Sequence, residues 1–138
     1  MTDVRRGLLD TSTVILLGRL EDPGTLPDEA IVSTVTLAEL SVGPLVASTA
    51  AERAHRQAHV QLVESTFQAL PFDAAAARAF GLVAASLRAA GRKPSARAFD
   101  ALIAATAMAN DLPLYTCNPG DFAAIDGLTV RPVPHPGT

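Results

Sequence analysis

The segment from Phe99 to Ala109 constrains the fold more than any other part of this 138-residue chain. Asp100 is its only charged residue, and Ala, Leu, Ile, Thr and Met make up everything that follows it. A helix without a polar face has to be buried nearly all round. We therefore predict an interior helix that carries one carboxylate at its beginning.

Short apolar segments alternate with helical ones along the rest of the chain. Strands are predicted at 7–9, 30–33, 70–72, 112–116 and 128–131, and helices at 13–19, 36–40, 50–68, 74–90 and 99–109. Gly43 and Pro44 are expected to bend or break the chain before the long polar helix. Strands that are apolar on both faces and separated by helices are typical of a mainly parallel sheet. We expect one domain over residues 1–138, an α/β sandwich with four or five short, mainly parallel strands flanked by helices.

The composition is richer in apolar residues than that of a typical soluble domain. Hydrophobic residues make up 49% of the chain and charged residues 18%, and much of the excess is alanine. In the helix at 50–68, Ala51, Ala54 and Ala58 form a narrow apolar stripe with Leu62. Such small residues favour tight helix packing, an oligomer interface, or both.

The sequence also bears on the compartment of the protein. No stretch approaches the roughly 18 consecutive apolar residues that a membrane span needs, and we expect no signal peptide. Cys117 is the single cysteine, so no disulfide can form within the chain. We interpret Cys117 as a small residue near a strand end and expect a cytoplasmic protein without a membrane partner.

Four acidic residues are expected near the carboxyl ends of the predicted strands. Asp10 ends the first strand, and Glu39 lies in the helix after the second. Asp100 opens the apolar helix, and Asp121 lies in the loop after Thr116. Loops from neighbouring parallel strands converge at that edge of a sheet. Carboxylates gathered there would repel one another unless some were protonated or a divalent cation neutralised them.

Oxygen ligands without His or Cys favour Mg²⁺ or Mn²⁺ over Zn²⁺. A cation held in this way can activate water and neutralise charge on a phosphodiester. Taken singly, each acid has a simpler interpretation, since Asp10 and Asp100 suit helix starts and Asp121 suits a turn. Glu39 could equally lie on the solvated face of its helix. The hypothesis of a metal site therefore depends on the four acids acting as a set.

The net charge of −3 argues at first against a nucleic-acid partner. If four of the 14 acids are gathered in one site, however, 10 acids remain against 11 Lys and Arg residues. Arg92, Lys93 and Arg97, just before Asp100, are candidates for contacts to RNA phosphates. A basic loop of this kind is usually only solvated, and both interpretations stay open.

The acids lie in a pattern that resembles the PIN-domain family. The resemblance is carried, in order, by Leu8-Leu9-Asp10-Thr11-Ser12, Thr36-Leu37-Ala38-Glu39-Leu40, Asp100-Ala101-Leu102-Ile103-Ala104-Ala105-Thr106 and Thr116-Cys117-Asn118-Pro119-Gly120-Asp121-Phe122. It spans about residues 7–133. Length and acid spacing are most similar to the VapC toxins of bacterial toxin–antitoxin pairs.

The resemblance implies a PIN-like α/β/α sandwich and an endoribonuclease that depends on Mg²⁺ or Mn²⁺. The residues that it assigns to the cation, directly or through water, are Asp10, Glu39, Asp100 and Asp121. Those that it assigns to orienting this shell or contacting substrate are Thr11, Ser12, Thr116 and Asn118. It implies three partners: an RNA substrate, a second copy of the chain in a homodimer, and a VapB-like antitoxin. The antitoxin's tail would lie in a groove formed by 36–49 and 50–68, with an Arg or Lys in the acidic site.

Other interpretations remain open at this point. A catalytically silent PIN-like binding module would keep the fold and act only through protein contacts, and a metal-dependent phosphatase would act on small phosphomonoesters. His55 and His59, at i and i+4, could share a helix face as zinc ligands, but no third ligand accompanies them in the sequence. We interpret these histidines as surface or interface residues.

Overall fold

Five parallel strands form the sheet. The computed structural model describes residues 4–137, and within them the strands are β1 (Arg6–Leu9), β2 (Glu29–Ser33), β3 (Gln68–Leu70), β4 (Leu114–Thr116) and β5 (Val130–Pro132). The helices are α1 (Thr11–Leu16), α2 (Thr34–Leu45), α3 (Ala50–Thr66), α4 (Ala74–Ala89) and α5 (Ala98–Ala109). All neighbouring strands are parallel, in the order β3-β2-β1-β4-β5. The predicted sandwich with a mainly parallel sheet is therefore confirmed.

Helices cover both faces of this sheet. Successive side chains of a strand point to opposite faces, so Leu8 belongs to one hydrophobic core and Leu9 to the other. The first core packs against α4 and α5, and the second against α1, α2 and α3. In α5 the predicted burial is confirmed, since Ala101 and all residues from 103 to 107 are buried.

β1 occupies the centre of the sheet, between β2 and β4. The chain builds outward from β1 through β2 to β3 and later adds β4 and β5 on the other side. The connections that leave β1 and β4 therefore diverge at their carboxyl ends. In open parallel sheets, this point of divergence is where a crevice forms and ligands bind.

Polar side chains begin the longer helices. Ser33, Thr49 and Asp73 each accept a hydrogen bond from a backbone N–H in the first turn of α2, α3 and α4, respectively. These bonds satisfy donors that have no partner within the helix.

α2 ends one residue after Pro44, close to the bend or break that was expected at Gly43 and Pro44. α2 continues through both residues to Leu45. Proline removes the hydrogen bond that its own N–H would make, and its ring crowds the carbonyl four residues earlier. The helix ends at Leu45, directly after Pro44.

The apolar stripe expected on the long helix does not face the core. Val60 and Val63 are the buried residues of α3, whereas Ala54 and Ala58 are exposed and Leu62 is 62% exposed. The two valines place more apolar area against the sheet than alanines would, and burial of apolar area decides which face turns inward. Tight packing of this stripe within the chain is therefore not observed, and an oligomer interface at the stripe stays a prediction.

No helix within residues 4–137 has the length and apolar character needed to cross a membrane. The expectation of one domain over residues 1–138 stays a prediction, although the strands of the single sheet are drawn from residues 6 to 132.

Gly7 provides a test of the close packing between β1 and β4. A Cβ atom on Gly7 would lie 2.3 Å from two ring carbons of the buried Tyr115. We predict that Gly7→Ala lowers the free energy of unfolding by about 1–3 kcal/mol, because the ring or the strand has to shift. Gly81→Ala in α4 is the matched control, since nothing lies within 4 Å of a Cβ there. It should raise stability by ~0.5–1 kcal/mol. Urea unfolding measures both variants, and an unchanged Gly7→Ala would contradict the packing.

Candidate active site

Asp10 lies at the carboxyl end of β1 with 3% of its surface exposed. Its Oδ1 atom accepts hydrogen bonds from the backbone N–H of Thr13 at 3.2 Å and from Thr13 Oγ1, and so caps α1. Its Oδ2 atom accepts from Ser12 Oγ at 3.1 Å and from Thr116 Oγ1 at 2.8 Å. Oδ1 is thus fixed by the helix cap, whereas both donors to Oδ2 are hydroxyl groups that can rotate.

The loop after β4 is bound to the loop after β1. Thr116 Oγ1, which donates to Asp10, accepts from the backbone N–H of Asn118 at 2.9 Å. Asn118 Nδ2 in turn donates to Ser12 Oγ at 3.0 Å. These bonds connect residues that are 106 positions apart in the chain. They hold Asp10 between two loops that leave the sheet in different directions.

Glu39 is connected to α1 through two threonine hydroxyls. Thr11 Oγ1 donates to Glu39 Oε1 at 2.6 Å, and the Oγ1 atoms of Thr11 and Thr36 are 3.0 Å apart. A hydroxyl has one proton to donate. Because Thr11 donates its proton to Glu39, the proton between the two threonines belongs to Thr36. This relay orients the half-buried carboxylate of Glu39.

Asp100 and Asp121 both form ion pairs with the side chain of Arg97. Asp100 lies in the first turn of α5, and Asp121 lies in a 3₁₀ turn after β4. The Nη1 atom of Arg97 is 2.7 Å from Asp121 Oδ2 and 3.7 Å from Asp100 Oδ2. One guanidinium group therefore neutralises part of the negative charge of both acids.

Asp10, Glu39 and Asp121 lie near enough to Asp100 for their negative charges to act on it, and we call these four residues the acidic cluster. The clearest sign is the pKa of Asp100, which is raised from its ordinary value of 3.8 to about 6. Burial is the largest cause, followed by the negative charges of Asp10, Asp121 and Glu39, while Arg97 opposes the rise. The structure thus places three of the acids that the sequence singled out within electrostatic reach of the fourth, Asp100.

The described side chains do not form a complete set of ligands for one metal ion. Within residues 4–137, no three His, Cys, Asp or Glu side chains are close enough to hold one ion together. Mg²⁺ is often bound through only one or two carboxylates, with water completing its shell. A cation would also relieve the repulsion that raises the pKa of Asp100. The oxygen donors of the acidic cluster therefore fit Mg²⁺ or Mn²⁺ in type.

The predicted RNA-contacting residues lie beside the acidic cluster. Arg92, Lys93 and Arg97 line a pocket of about 250 Å³ together with Asp100 and Asp121, and apolar side chains form its remaining wall. All three basic residues are exposed. The pocket therefore presents positive charge next to the acids, as a site for a bound phosphate chain would need.

The two histidines lie beside a different depression. His55 and His59 line it along α3, and Glu39 also lines it. Arg56, between the two histidines, pairs with Glu52 and donates to the carbonyl of Gly43 at 2.9 Å. In the described part of the chain, no third metal ligand joins the histidines. The zinc interpretation therefore has no support from the geometry.

Thr13 and Thr36 take part in the site although the sequence analysis did not single them out. Thr13 Oγ1 donates to Asp10 and accepts from the backbone N–H of Cys117 at 3.0 Å. The spacing of each threonine from an acidic residue of the site could have identified both in the sequence. Thr13 follows Asp10 by three residues, as in a helix cap, and Thr36 precedes Glu39 by three, which puts both on one helix face.

Comparison with known proteins relates the chain to one family. A sequence model of the PIN domain matches residues 8–128. The chain is 42% identical over 123 residues to Ribonuclease VapC5 of Mycobacterium tuberculosis, covering 88% of each chain. It is 38% identical over 130 residues to Ribonuclease VapC4 of the same organism, covering 93% of this chain and 97% of the relative. The crystal structure of VapBC-5 from M. tuberculosis, a member of the VapBC family of toxin-antitoxin systems, matches with a TM-score of 0.77 and 40% identity. The match covers 90% of this chain and 93% of that chain.

The raised pKa of Asp100 predicts a pH-dependent loss of stability in the metal-free protein. Its folded-state pKa of about 6 lies above the ordinary value of 3.8, so its contribution to stability is present below pH 3.8 and lost as the pH rises through 6. Asp100→Asn removes this charge. It should raise the free energy of unfolding by ~1–3 kcal/mol at pH 8 and leave it nearly unchanged at about pH 4.

Chemical denaturation in the presence of a chelator measures this pH dependence. Asp126→Asn is the matched control, because Asp126 is exposed. It should show little change at either pH. An equal effect of Asp100→Asn at the two pH values would contradict the charge repulsion.

Proposed function

The chain belongs to the PIN-domain family, and on that premise we propose that it is an endoribonuclease toxin that uses Mg²⁺ or Mn²⁺ and is neutralised by a VapB-like antitoxin. The observation that carries the proposal is the convergence of the acidic cluster at the divergence of β1 and β4. It occurs in a chain that is 42% identical to a protein named a ribonuclease. We expect it to act in the cytoplasm, where RNA is available.

The acidic cluster would hold the cation, with Asp10 and Asp100 as its most firmly held members. When bound, the cation supplies activation of water and neutralisation of charge on the phosphodiester. Oδ2 of Asp10 can be released to it by rotation of the Ser12 and Thr116 hydroxyls, while Oδ1 stays fixed by Thr13. Asp100 is held by a helix that is buried over most of its length. Both acids therefore keep their positions while substrate binds.

Polar neighbours of the acidic cluster would orient the other groups. Thr11 fixes Glu39 by a hydrogen bond of 2.6 Å, and Asn118 fixes the Ser12 hydroxyl at 3.0 Å. Arg92 and Lys93, on the rim of the adjacent pocket, would bind the phosphates of the RNA on either side of the scissile bond. Substrate would thus be held by positive charge on the rim and cleaved over the acids.

A VapB-like antitoxin would bind the surface formed by α1, α2 and α3. Apolar side chains are exposed here, with Ile15, Val42 and Val46 more than half exposed and Leu45 80% exposed. Exposed apolar residues that lie together mark interaction sites. Glu39 lies in the depression between α2 and α3, so a basic side chain of the antitoxin would reach the acidic cluster from this surface.

We also propose a homodimer, supported by apolar residues on the opposite layer. Leu82 of α4 is 64% exposed and Phe99 of α5 is 52% exposed. Both lie on the side of the sheet that α4 and α5 cover. A second copy of the chain would bury such residues without closing the antitoxin surface.

We predict that Asp10→Asn and Asp100→Asn each abolish cleavage of RNA. Each variant removes a ligand charge without removing core volume. The loss should be at least 100-fold, on the order seen when electrostatic stabilisation of a transition state is removed. Asp111→Asn is the matched control, since Asp111 is exposed with φ 52°, a conformation that asparagine adopts readily. The measurement is cleavage of RNA with Mg²⁺, with Mn²⁺ and with chelator, alongside circular dichroism.

Other functions make different predictions in the same assay. A silent binding module would cleave nothing, and a phosphatase would hydrolyse a phosphomonoester such as p-nitrophenyl phosphate in preference to RNA. Full activity of Asp100→Asn, or activity that is unaffected by chelator, would reject the proposed site.

We predict that Val42→Asp weakens binding of the antitoxin by at least tenfold, because it places a charge on the apolar surface of α2. Leu82→Asp is the control, since Leu82 is similarly exposed but lies on the far side of the sheet. It should leave antitoxin affinity unchanged and reduce the apparent mass of the free toxin. Isothermal titration calorimetry and light scattering measure the two quantities. Equal loss of antitoxin affinity in both variants would contradict the assignment of the surfaces.

A further inference from the structure

Arg97 is positioned as a counter-ion of the acidic cluster. It ends the 3₁₀ turn Pro94–Arg97, which leads directly into α5, and its Nη1 atom lies 2.7 Å from Asp121 and 3.7 Å from Asp100. The two acids come from different elements, one in the first turn of α5 and the other in the turn after β4. A single nitrogen therefore joins two separate parts of the site.

The position of this nitrogen is one where positive charge is required. Like charges at close range make an acidic group costly unless a cation neutralises it. Among the residues described, Arg97 is the basic residue that forms ion pairs with members of the acidic cluster, and its neighbours Arg92 and Lys93 form none. Arg97 therefore supplies the charge that a divalent ion would otherwise supply.

We propose that Arg97 is an internal competitor for the divalent cation, occupying the gap between Asp100 and Asp121 until the cation displaces it. This inference rests on the proposed function, because it requires that the acidic cluster bind metal. Arg97 is a positioning residue in this proposal, since it acts on the state of the acids rather than on the substrate. The consequence is a metal affinity lower than that of the acidic cluster without Arg97.

The geometry allows the exchange without movement of the fold. The Arg97 side chain is 58% exposed, so it can turn into solvent, and exposed ion pairs contribute little to stability. Asp100, by contrast, belongs to a helix that is buried over most of its length. Displacement therefore moves a long flexible side chain, while the carboxylate keeps its place.

The same movement would join two depressions of the surface. Arg97 and Asp100 both line the pocket that contains Asp121, and both line a second depression that reaches Glu39. The guanidinium group thus lies on the boundary between them. Its departure would open a continuous path along the acidic cluster.

The test is the affinity of the metal-free full chain for Mn²⁺, measured by isothermal titration calorimetry at low ionic strength. Arg97→Gln should bind Mn²⁺ about two- to fivefold more tightly than the wild type, because one competing ion pair is removed. Arg97→Lys keeps the positive charge and should stay within about twofold of the wild type. Arg92→Gln is the matched control for loss of one positive charge in the same loop. It should change the affinity by less than about twofold, since an exposed charge without an ion pair is screened.

The results distinguish a failure of the competition by Arg97 from a failure of the metal site itself. Equal Mn²⁺ affinity of Arg97→Gln and wild type, or an equal gain in Arg92→Gln, overturns the competition while leaving the metal site intact. Absence of Mn²⁺ binding in the wild type and in Arg97→Gln overturns the metal site and this inference together. Thermal unfolding is an independent readout: Mn²⁺ should raise the Tm of Arg97→Gln more than that of the wild type.

Discussion

The parallel pairing of β1 with β4 is the constraint on which the site depends. It places residues more than 100 positions apart at the same edge of the sheet, and the hydrogen bond from Thr116 to Asp10 is its direct product. The close approach of Gly7 and Tyr115 belongs to the same strand pair. If these strands separated, Asp10 would lose a donor to Oδ2 and Asp121 would leave the other acids.

Most of the fold and the main acids could be predicted from the sequence, because both follow from patterns that repeat along the chain. Apolar segments between helices indicate a parallel sheet, and the carboxyl ends of such strands share one edge. That rule predicts that Asp10 and Asp100 lie at the same edge of the sheet. The face that α3 turns inward was not predicted, because small alanines mark a face less strongly than the two valines that are buried.

The details that escaped prediction depend on side-chain geometry rather than on pattern. Thr13 and Thr36 act through hydroxyl groups whose partners are set by rotamers and by the packing of α1 against α2. The sequence suggested Arg97 as an RNA contact, but only coordinates reveal its pairing with Asp121. Threonine and arginine have too many ordinary roles on a surface for their position along the chain to identify one.

Amino-acid substitutions have different consequences in the buried α5 and on the exposed outer face of α3. A substitution inside α5 alters core volume directly behind Asp100, whereas the outer face of α3 meets solvent at Ala54, Ala58 and Leu62. The two helices lie on opposite sides of the sheet. Related chains could thus acquire new contacts on the outer face of α3 without disturbing the helix that carries Asp100, so that this face diverges faster than the interior of α5.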